Sequence, residues 1–441
     1  MTIFSDSTTI VVLDDDPTGT QTVHNVPVLT TWDATALEEM FSQQVSLFYI
    51  LTNSRAFSEG EAVAMNEDIG QLLHLLARQY DRRLLLISRS DSTLRGHFPA
   101  EVDALSRGYG LQNPLTFLIP AFIEGGRYTI NGVHYLMQEG RPVPVAETPF
   151  AQDPVFGYTH SDLTEWVMEK SGGAISPQQI TRVQRQELTG AALEQRVTEL
   201  LDPELKVVIA DAESYGDLTL VSELIKRLFE QGREVLVRSG ASVVRTLGNL
   251  ETAPMLRAKE LLDPRNHRGG LVVVGSFVPL STRQVSYLMD QISLPAYVVS
   301  TRLGDEANLV DLATTLEKHL ERGETVLLYT QRSLQTGSTR AESMQIGQQY
   351  SELLVSIIRR IKEVPAFVVA KGGITSSDIA TRGLGIKKAM VKGQLIPGVS
   401  VWEPGQDSRL SGFPYVVFPG NVGNDQALYE VVKKFLEVER S

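Results

Sequence analysis

Ile10 to Thr20 reads IVVLDDDPTGT, an apolar run that stops at three consecutive carboxylates and passes straight into a Pro-Thr-Gly turn. A β-branched run without polar alternation is a strand covered on both faces, as in a parallel sheet lying between helices. TIVVL, LFYILT, RLLLIS, LTFLIP, KVVIAD and EVLVR repeat the pattern. Amphipathic stretches such as EAVAMNEDIGQLLHLLARQY and LTLVSELIKRLFEQG separate them. Such alternation predicts an α/β fold, a mainly parallel sheet flanked by helices. Between Gly240 and Gly270 the alternation gives way to LETAPMLRAKELLDPRNHRGG, a helix-like segment ending in a Pro/Arg/Gly turn. Strands then resume with GLVVVGS, AYVVST, TVLLYT, AFVVAKGG and YVVFPGN. The expectation is two α/β domains, residues 1–255 and 256–441. From Gly125 to Ser176, rich in Gly, Pro and aromatics and without a clean period, long loops attached to the first domain are expected.

Composition bounds the function. A chain of 441 residues exceeds one ordinary core, and 42% hydrophobic with 21% charged residues is a globular balance. The net charge of −12, with no basic cluster interleaved with aromatics, argues against a nucleic-acid partner and for small molecules. The chain has no cysteine, which removes disulfides, a thiolate nucleophile and cysteine zinc sites, and fits a reducing compartment. The opening MTIFSDSTTIVVLDDD lacks a basic leader, and no apolar stretch approaches a membrane span, so a cytoplasmic protein is expected.

In open α/β sheets ligands gather at the carboxyl ends of strands, so the polar residues that follow each apolar run are the candidates. Three turns stand out: Asp14, Asp15 and Asp16 with Thr18 and Gly19; RSDSTLRG, carrying Arg89, Asp91, Ser92, Thr93, Arg95 and Gly96; and AFIEGGRYTINGVHY, carrying Arg127 and His134. Asp, Ser and Thr are also ordinary helix caps, which accounts for any one turn taken singly. Like charges at neighbouring strand ends need a cation or ligand to organise them. Arginine forks suit a carboxylate or phosphate, while Asp91 and the hydroxyls suit sugar-like hydroxyls, together describing a polyhydroxylated acid. Asp14-x-Asp16-x-Thr18 also fits the opening of a haloacid-dehalogenase-type phosphatase; its later acidic pair would have to come from Asp211 and Asp217, whose spacing is wrong. In the second half, AKGGITSSD, VGSFVPLSTRQ and FPGNVGND are small-residue turns able to line a nucleotide cleft, although neither GxxxxGK[ST] nor GxGxxG occurs. Ordinary tight connections are the alternative there. His74 and His319 lie in helical patterns, and no zinc spacing is present.

Taken in order, these motifs resemble the four-carbon acid sugar kinases over essentially the full length. Asp15, Asp16, Thr18 and Gly19 match the family's DDxTG opening, Asp91 to Gly96 (DSTLRG) its second signature, and Pro120 with Gly126, Arg127, Gly132 and His134 its third. The resemblance implies an N-terminal acid-sugar domain and a C-terminal nucleotide domain. It implies ATP contacts at Ser276, Gly372, Gly373, Ile374, Thr375 and Gly420, and a further loop at Ile396 to Trp402. Ile374 stands where the family usually has an acidic residue, Arg89 where it has lysine, and Pro17 where it has an aromatic, which marks a distinct subgroup.

The expectation is thus an ATP-dependent kinase acting with Mg²⁺ on a hydroxyl of a small sugar acid. Family substrates include tetronates, their 3-oxo forms and the branched 3-oxo-isoapionate. Asp16 is the expected proton acceptor; Asp15, Thr18, Gly19, Arg89, Asp91, Ser92, Arg95, Arg127 and His134 are the expected substrate contacts. No protein-held metal site is expected, and Asp14 is left with a capping, supporting or magnesium-placing role. The alternatives are the phosphatase, with Asp14 as nucleophile, and a non-catalytic nucleotide or metabolite sensor. A homodimer is a working expectation only.

Overall fold

The computed structural model describes residues 2–300, 306–331 and 340–438, with side chains of the last stretch from 346 onward. The chain divides into two compact units, Met1–Val23 with Thr31–Thr252, and His24–Thr30 with Ala253–Ser441. The expected boundary lay after residue 255; the units divide after Thr252, and His24–Thr30, expected in the first domain, belongs to the second unit.

The sheet of the first unit runs Leu47–Leu51, Thr8–Asp14, Arg83–Arg89, Val235–Ser239, Leu115–Ile119, Val207–Ala210, Ile180–Val183, every pair parallel. Ile10, Val11 and Val12 are wholly buried, each stabilising the fold by about 2 kcal/mol of apolar transfer. Helices Glu59–Gln79 and Tyr215–Glu230 fall where the periodicity predicts, and each opens with a capping box, Ser58 with Glu61 and Ser214 with Asp217.

The order of strands fixes where a ligand can sit. From Thr8–Asp14 the chain goes to Leu47–Leu51 on one side and then to Arg83–Arg89 on the other. The polar residues that follow these three neighbouring strands are thereby brought together at one edge of the sheet, the carboxyl end where open α/β sheets bind their ligands.

Residues 125–176 are more ordered than long loops. They form an antiparallel sheet of Arg127–Ile130, Val133–Gln138 and Arg141–Pro144, followed by helix Leu163–Lys170. The hairpin escaped detection because its exposure alternates on short strands rich in polar residues.

In the second unit Ala296–Val299, Val326–Thr330, Leu271–Val274, Val368–Lys371 and Tyr415–Phe418 are parallel, as expected. Three antiparallel strands extend the sheet: Val399–Pro404, Lys388–Ile396 and Val26–Leu29. The expected loop at Ile396 to Trp402 is the turn and return strand of this hairpin, with Gly398 at φ 77°. Phe367 and Phe435 stack at 4.3 Å in the core of the unit.

Candidate active site

The triple aspartate splits into three roles because successive residues at a strand end point in different directions. Asp14 is the last residue of its strand and is 1% exposed. Its Oδ1 accepts from Arg89 Nη1 at 2.9 Å, and its backbone carbonyl accepts from Thr52 N and Oγ1. A Cβ on Gly19 would lie 2.0 Å from Asp14 Oδ2. Only glycine lets the Pro17–Thr22 turn close over that carboxylate. Burial pushes the Asp14 carboxyl up to about 7 against the pull of Arg89.

Asp15 is 2% exposed and accepts from Ser90 Oγ at 2.6 Å. Burial raises its carboxyl despite Arg55 and Arg89. Asp16 caps the Pro17–Thr22 turn by accepting from Thr18 N at 2.8 Å. Burial would raise it too, but Arg55 and Arg89 outweigh burial and hold it below the ordinary carboxylate value.

Arg55 links these groups, and the sequence reading passed over it. It lies on the short turn Ser54–Ala56 after Leu47–Leu51. Its guanidinium meets Asp15 at 3.2 Å, Asp16 at 2.7 Å and Asp91 at 3.8 Å. The sequence signal is partial: LFYILT reads as a strand with the polar turn NSRAFS behind it, but that this strand lies beside the triple aspartate follows from the strand order.

From the third strand come Arg89, paired with Asp14 and 3.6 Å from Asp15, and the DSTLRG loop. Asp91 accepts from Arg95 Nε at 2.7 Å and from the Thr93 hydroxyl. Burial notwithstanding, Arg95 and Arg55 hold Asp91 well below the carboxylate range. Ser90, Asp91, Arg95, Arg238 and Ser239 line a small cleft here, closed on its apolar side by Pro120 and Trp166. A second buried pair, Arg238 with Glu101 at 2.9 Å, supports the loop from below through Ser88 and Ser90.

The hairpin segment braces the same loop. Tyr158 Oη donates to the Thr93 carbonyl at 2.7 Å; Asp153 lies 3.6 Å from Arg95, whose guanidinium sits 4.9 Å from the centre of the Phe150 ring.

Several expected contacts change role. His134 is wholly buried: Nε2–H donates to the Ser92 carbonyl at 2.8 Å and Nδ1 accepts from Thr129 Oγ1 at 3.0 Å. Burial lowers it to about 4, so it is a neutral prop behind the loop and not a substrate contact. Ser92 is 7% exposed and contributes that carbonyl. Gly19 shapes the pocket over Asp14, and Thr18 contributes its amide to Asp16. Arg127 donates to the Gly125 carbonyl at 2.6 Å beside Phe122 and is only 8% exposed. Burial weakens its hold on a proton.

The phosphatase alternative loses its parts. Asp14 has no room for a phosphoryl group under Gly19. Asp211 accepts from Asn131 N and Gly132 N in the hairpin turn, and Asp217 belongs to a capping box.

In the second unit the expected nucleotide residues converge. A Cβ on Gly420 would lie 2.7 Å from Ser276 Oγ, and one on Gly372 would lie 3.0 Å from both Ser276 Cβ and Thr375 Oγ1. Gly372 has φ 118°, and Gly373 opens the helix Gly373–Asp378. Ser281 Oγ donates to the Gly420 carbonyl at 3.2 Å, fixing that turn. Ile374 is 57% exposed on the first turn of the helix. The glycines leave a cradle that side chains would fill, as close approach of phosphates to backbone amides requires.

Comparison with known proteins gives these two sites a common setting. Residues 10–247 match the family described as the sugar-binding N-terminal domain, and residues 271–428 match the nucleotide-binding C-terminal domain. The chain belongs to the four-carbon acid sugar kinase family. A family relative, the D-threonate kinase of Bordetella bronchiseptica, is 34% identical over 128 residues, a match spanning 29% of this chain and 29% of that one. Among solved structures, a Salmonella typhimurium LT2 protein provisionally called a tRNA synthase aligns with TM-score 0.70 at 16% identity, over 96% of this chain and 98% of that one. Haemophilus influenzae protein HI1011 aligns with TM-score 0.61 at 14% identity, over 96% and 100%. These two likenesses establish the shared fold. Among the described residues no helix is long and apolar enough to cross a membrane.

Proposed function

We propose that the chain is an ATP-dependent kinase that phosphorylates a hydroxyl of a small sugar acid, with the crevice of the first unit as the acid site. The observation that carries this reading is the Arg55 fork shared by Asp15, Asp16 and Asp91. Such a cluster offers guanidinium donors to a substrate carboxylate and carboxylate acceptors to its hydroxyls within one small volume.

Phosphoryl transfer demands positioning and charge neutralisation more than covalent help. The acceptor hydroxyl oxygen forms a bond to the γ-phosphorus, the bond from that phosphorus to the bridging oxygen breaks, and ADP departs. The hydroxyl proton passes to Asp16, the most exposed of the three aspartates. Arg55 is the chief charge that depresses Asp16. A substrate carboxylate that draws Arg55 towards itself therefore raises the basicity of Asp16 as the acid binds. Arg95 is the second cation for that carboxylate, Asp15 and Asp91 orient the remaining hydroxyls, and Arg127 stands close enough to feel the charge of Asp91.

Ser276, Gly372, Gly373, Ile374, Thr375 and Gly420 would cradle ATP. Mg²⁺ would enter on the phosphates, where it neutralises their charge.

The substrate class is a tetronate, a 3-oxo-tetronate or a branched relative such as 3-oxo-isoapionate, the D-threonate kinase relative favouring the unbranched acids. The test is ADP release with Mg²⁺-ATP against a panel of these acids. One acid should stimulate release, with the signal lost in Asp16→Asn and its KM raised in Arg55→Ala. No stimulation by any acid would defeat the reading.

A further inference from the structure

Lys371 ends the strand Val368–Lys371 and is wholly buried. A buried ammonium is normally paired with a carboxylate. Here Nζ donates to the Pro419 carbonyl at 2.9 Å and sits 3.9 Å from the centre of the Phe418 ring, and among the described residues no acidic group offsets its burial. Pro419 immediately precedes Gly420, and Lys371 immediately precedes Gly372.

We propose that Lys371 is a positioning residue of the nucleotide site: its ammonium ties the Gly372 turn to the Gly420 turn from beneath and lends both a positive charge that bound phosphates draw on. This rests on the nucleotide reading of those turns. In a low-dielectric interior such a charge acts over several ångströms without touching the ligand. The neighbouring elements hold other ionisable groups, each occupied elsewhere. Tyr415 Oη donates to the Ser376 carbonyl at 2.6 Å, Asp378 accepts from Ser351, and Arg283 pairs with Asp425 at 2.8 Å. Burial alone lowers the Lys371 ammonium to about 7. An arriving anion then favours the protonated form, so binding takes up a proton.

The test is calorimetric titration of the full chain with ADP at pH 6.5 and 9, in two buffers of different ionisation enthalpy, for the wild type and Lys371→Met. The wild type should bind about tenfold more tightly at pH 6.5 than at 9, as one shifted charge of this kind implies, and should take up a fraction of a proton between them. Lys371→Met should bind about tenfold more weakly at pH 6.5, with no pH dependence from this source and no matching proton uptake. A variant with wild-type affinity and pH profile overturns the inference alone. Equal weakening at both pH values with unchanged proton uptake also overturns it, since that is loss of shape and not of charge. A wild type that binds ADP without proton uptake overturns it whether or not the variant folds. A wild type that binds no ADP at either pH overturns it together with the nucleotide site.

Discussion

At Arg55 three carboxylates share one guanidinium, and removing it leaves Asp15, Asp16 and Asp91 facing one another in a buried crevice. Breaking a buried pair on one side costs about 3–5 kcal/mol. Arg55→Ala should therefore lower the thermal midpoint as well as raise the KM for the acid, whereas Arg55→Lys, which keeps the charge and loses the planar fork, should recover stability more than affinity. Differential scanning calorimetry and initial-rate kinetics separate the two. Asp14 makes a prediction with a definite sign. Its carboxyl is raised from 3.8 to about 7, so the native state binds more protons than the unfolded chain between those values, and stability falls as pH rises through that window. Asp14→Asn cannot ionise. Its stability relative to the wild type should improve from pH 4 to pH 7 and level off above, as followed by urea unfolding at several pH values. A gap that stays constant across the window would contradict the burial argument.

Among the elements, the turns and the hairpin segment divide the work, and they can be disturbed separately. Tyr158→Phe removes the hydroxyl that holds the Thr93 carbonyl, a bond worth about 1 kcal/mol; the KM for the acid should rise while that for ATP stays put. Gly420→Ala places a Cβ 2.7 Å from Ser276 Oγ and should do the reverse, raising the ATP KM alone. If either substitution moved both constants equally, the division into an acid site and a nucleotide site would be wrong. The strands carrying these turns were legible because parallel strands buried on both faces leave uninterrupted apolar runs. The hairpin at 127–144 was not, because Arg127, Tyr128, Thr129 and Ile130 alternate in exposure and read as polar loop. Ile180–Val183 was missed for a similar reason: at the end of the sheet, only Val183 of its four residues is buried. Within the site, the three aspartates and DSTLRG announce themselves by charge density. Arg55 is a lone arginine in NSRAFS, and only the strand order shows that this turn meets them. His134 carries the opposite lesson, since a motif position can serve the fold from behind.

Across the whole molecule, the chain passes from the first unit to the second and back within its first thirty-one residues, contributing His24–Thr30 as an edge to the second unit. Val26–Leu29 pairs antiparallel with Lys388–Ile396, and Thr30 N donates to the Lys387 carbonyl at 2.9 Å. A chain cut at Thr252 and expressed as separate halves would leave that ladder unmade and a strand edge open, so residues 253–441 alone should melt below the intact protein and associate through the bare edge. Equal melting of the isolated half would mean that the edge strand adds nothing. For the whole molecule the deciding event is where a phosphoryl group goes. Phosphorus NMR of the full chain with Mg²⁺-ATP and the acid that stimulates ADP release follows it directly. The prediction is loss of the γ-phosphate signal matched one for one by ADP and a new phosphomonoester of the acid, absent with Asp16→Asn. Inorganic phosphate appearing in place of the ester, or from a sugar phosphate without ATP, would contradict it.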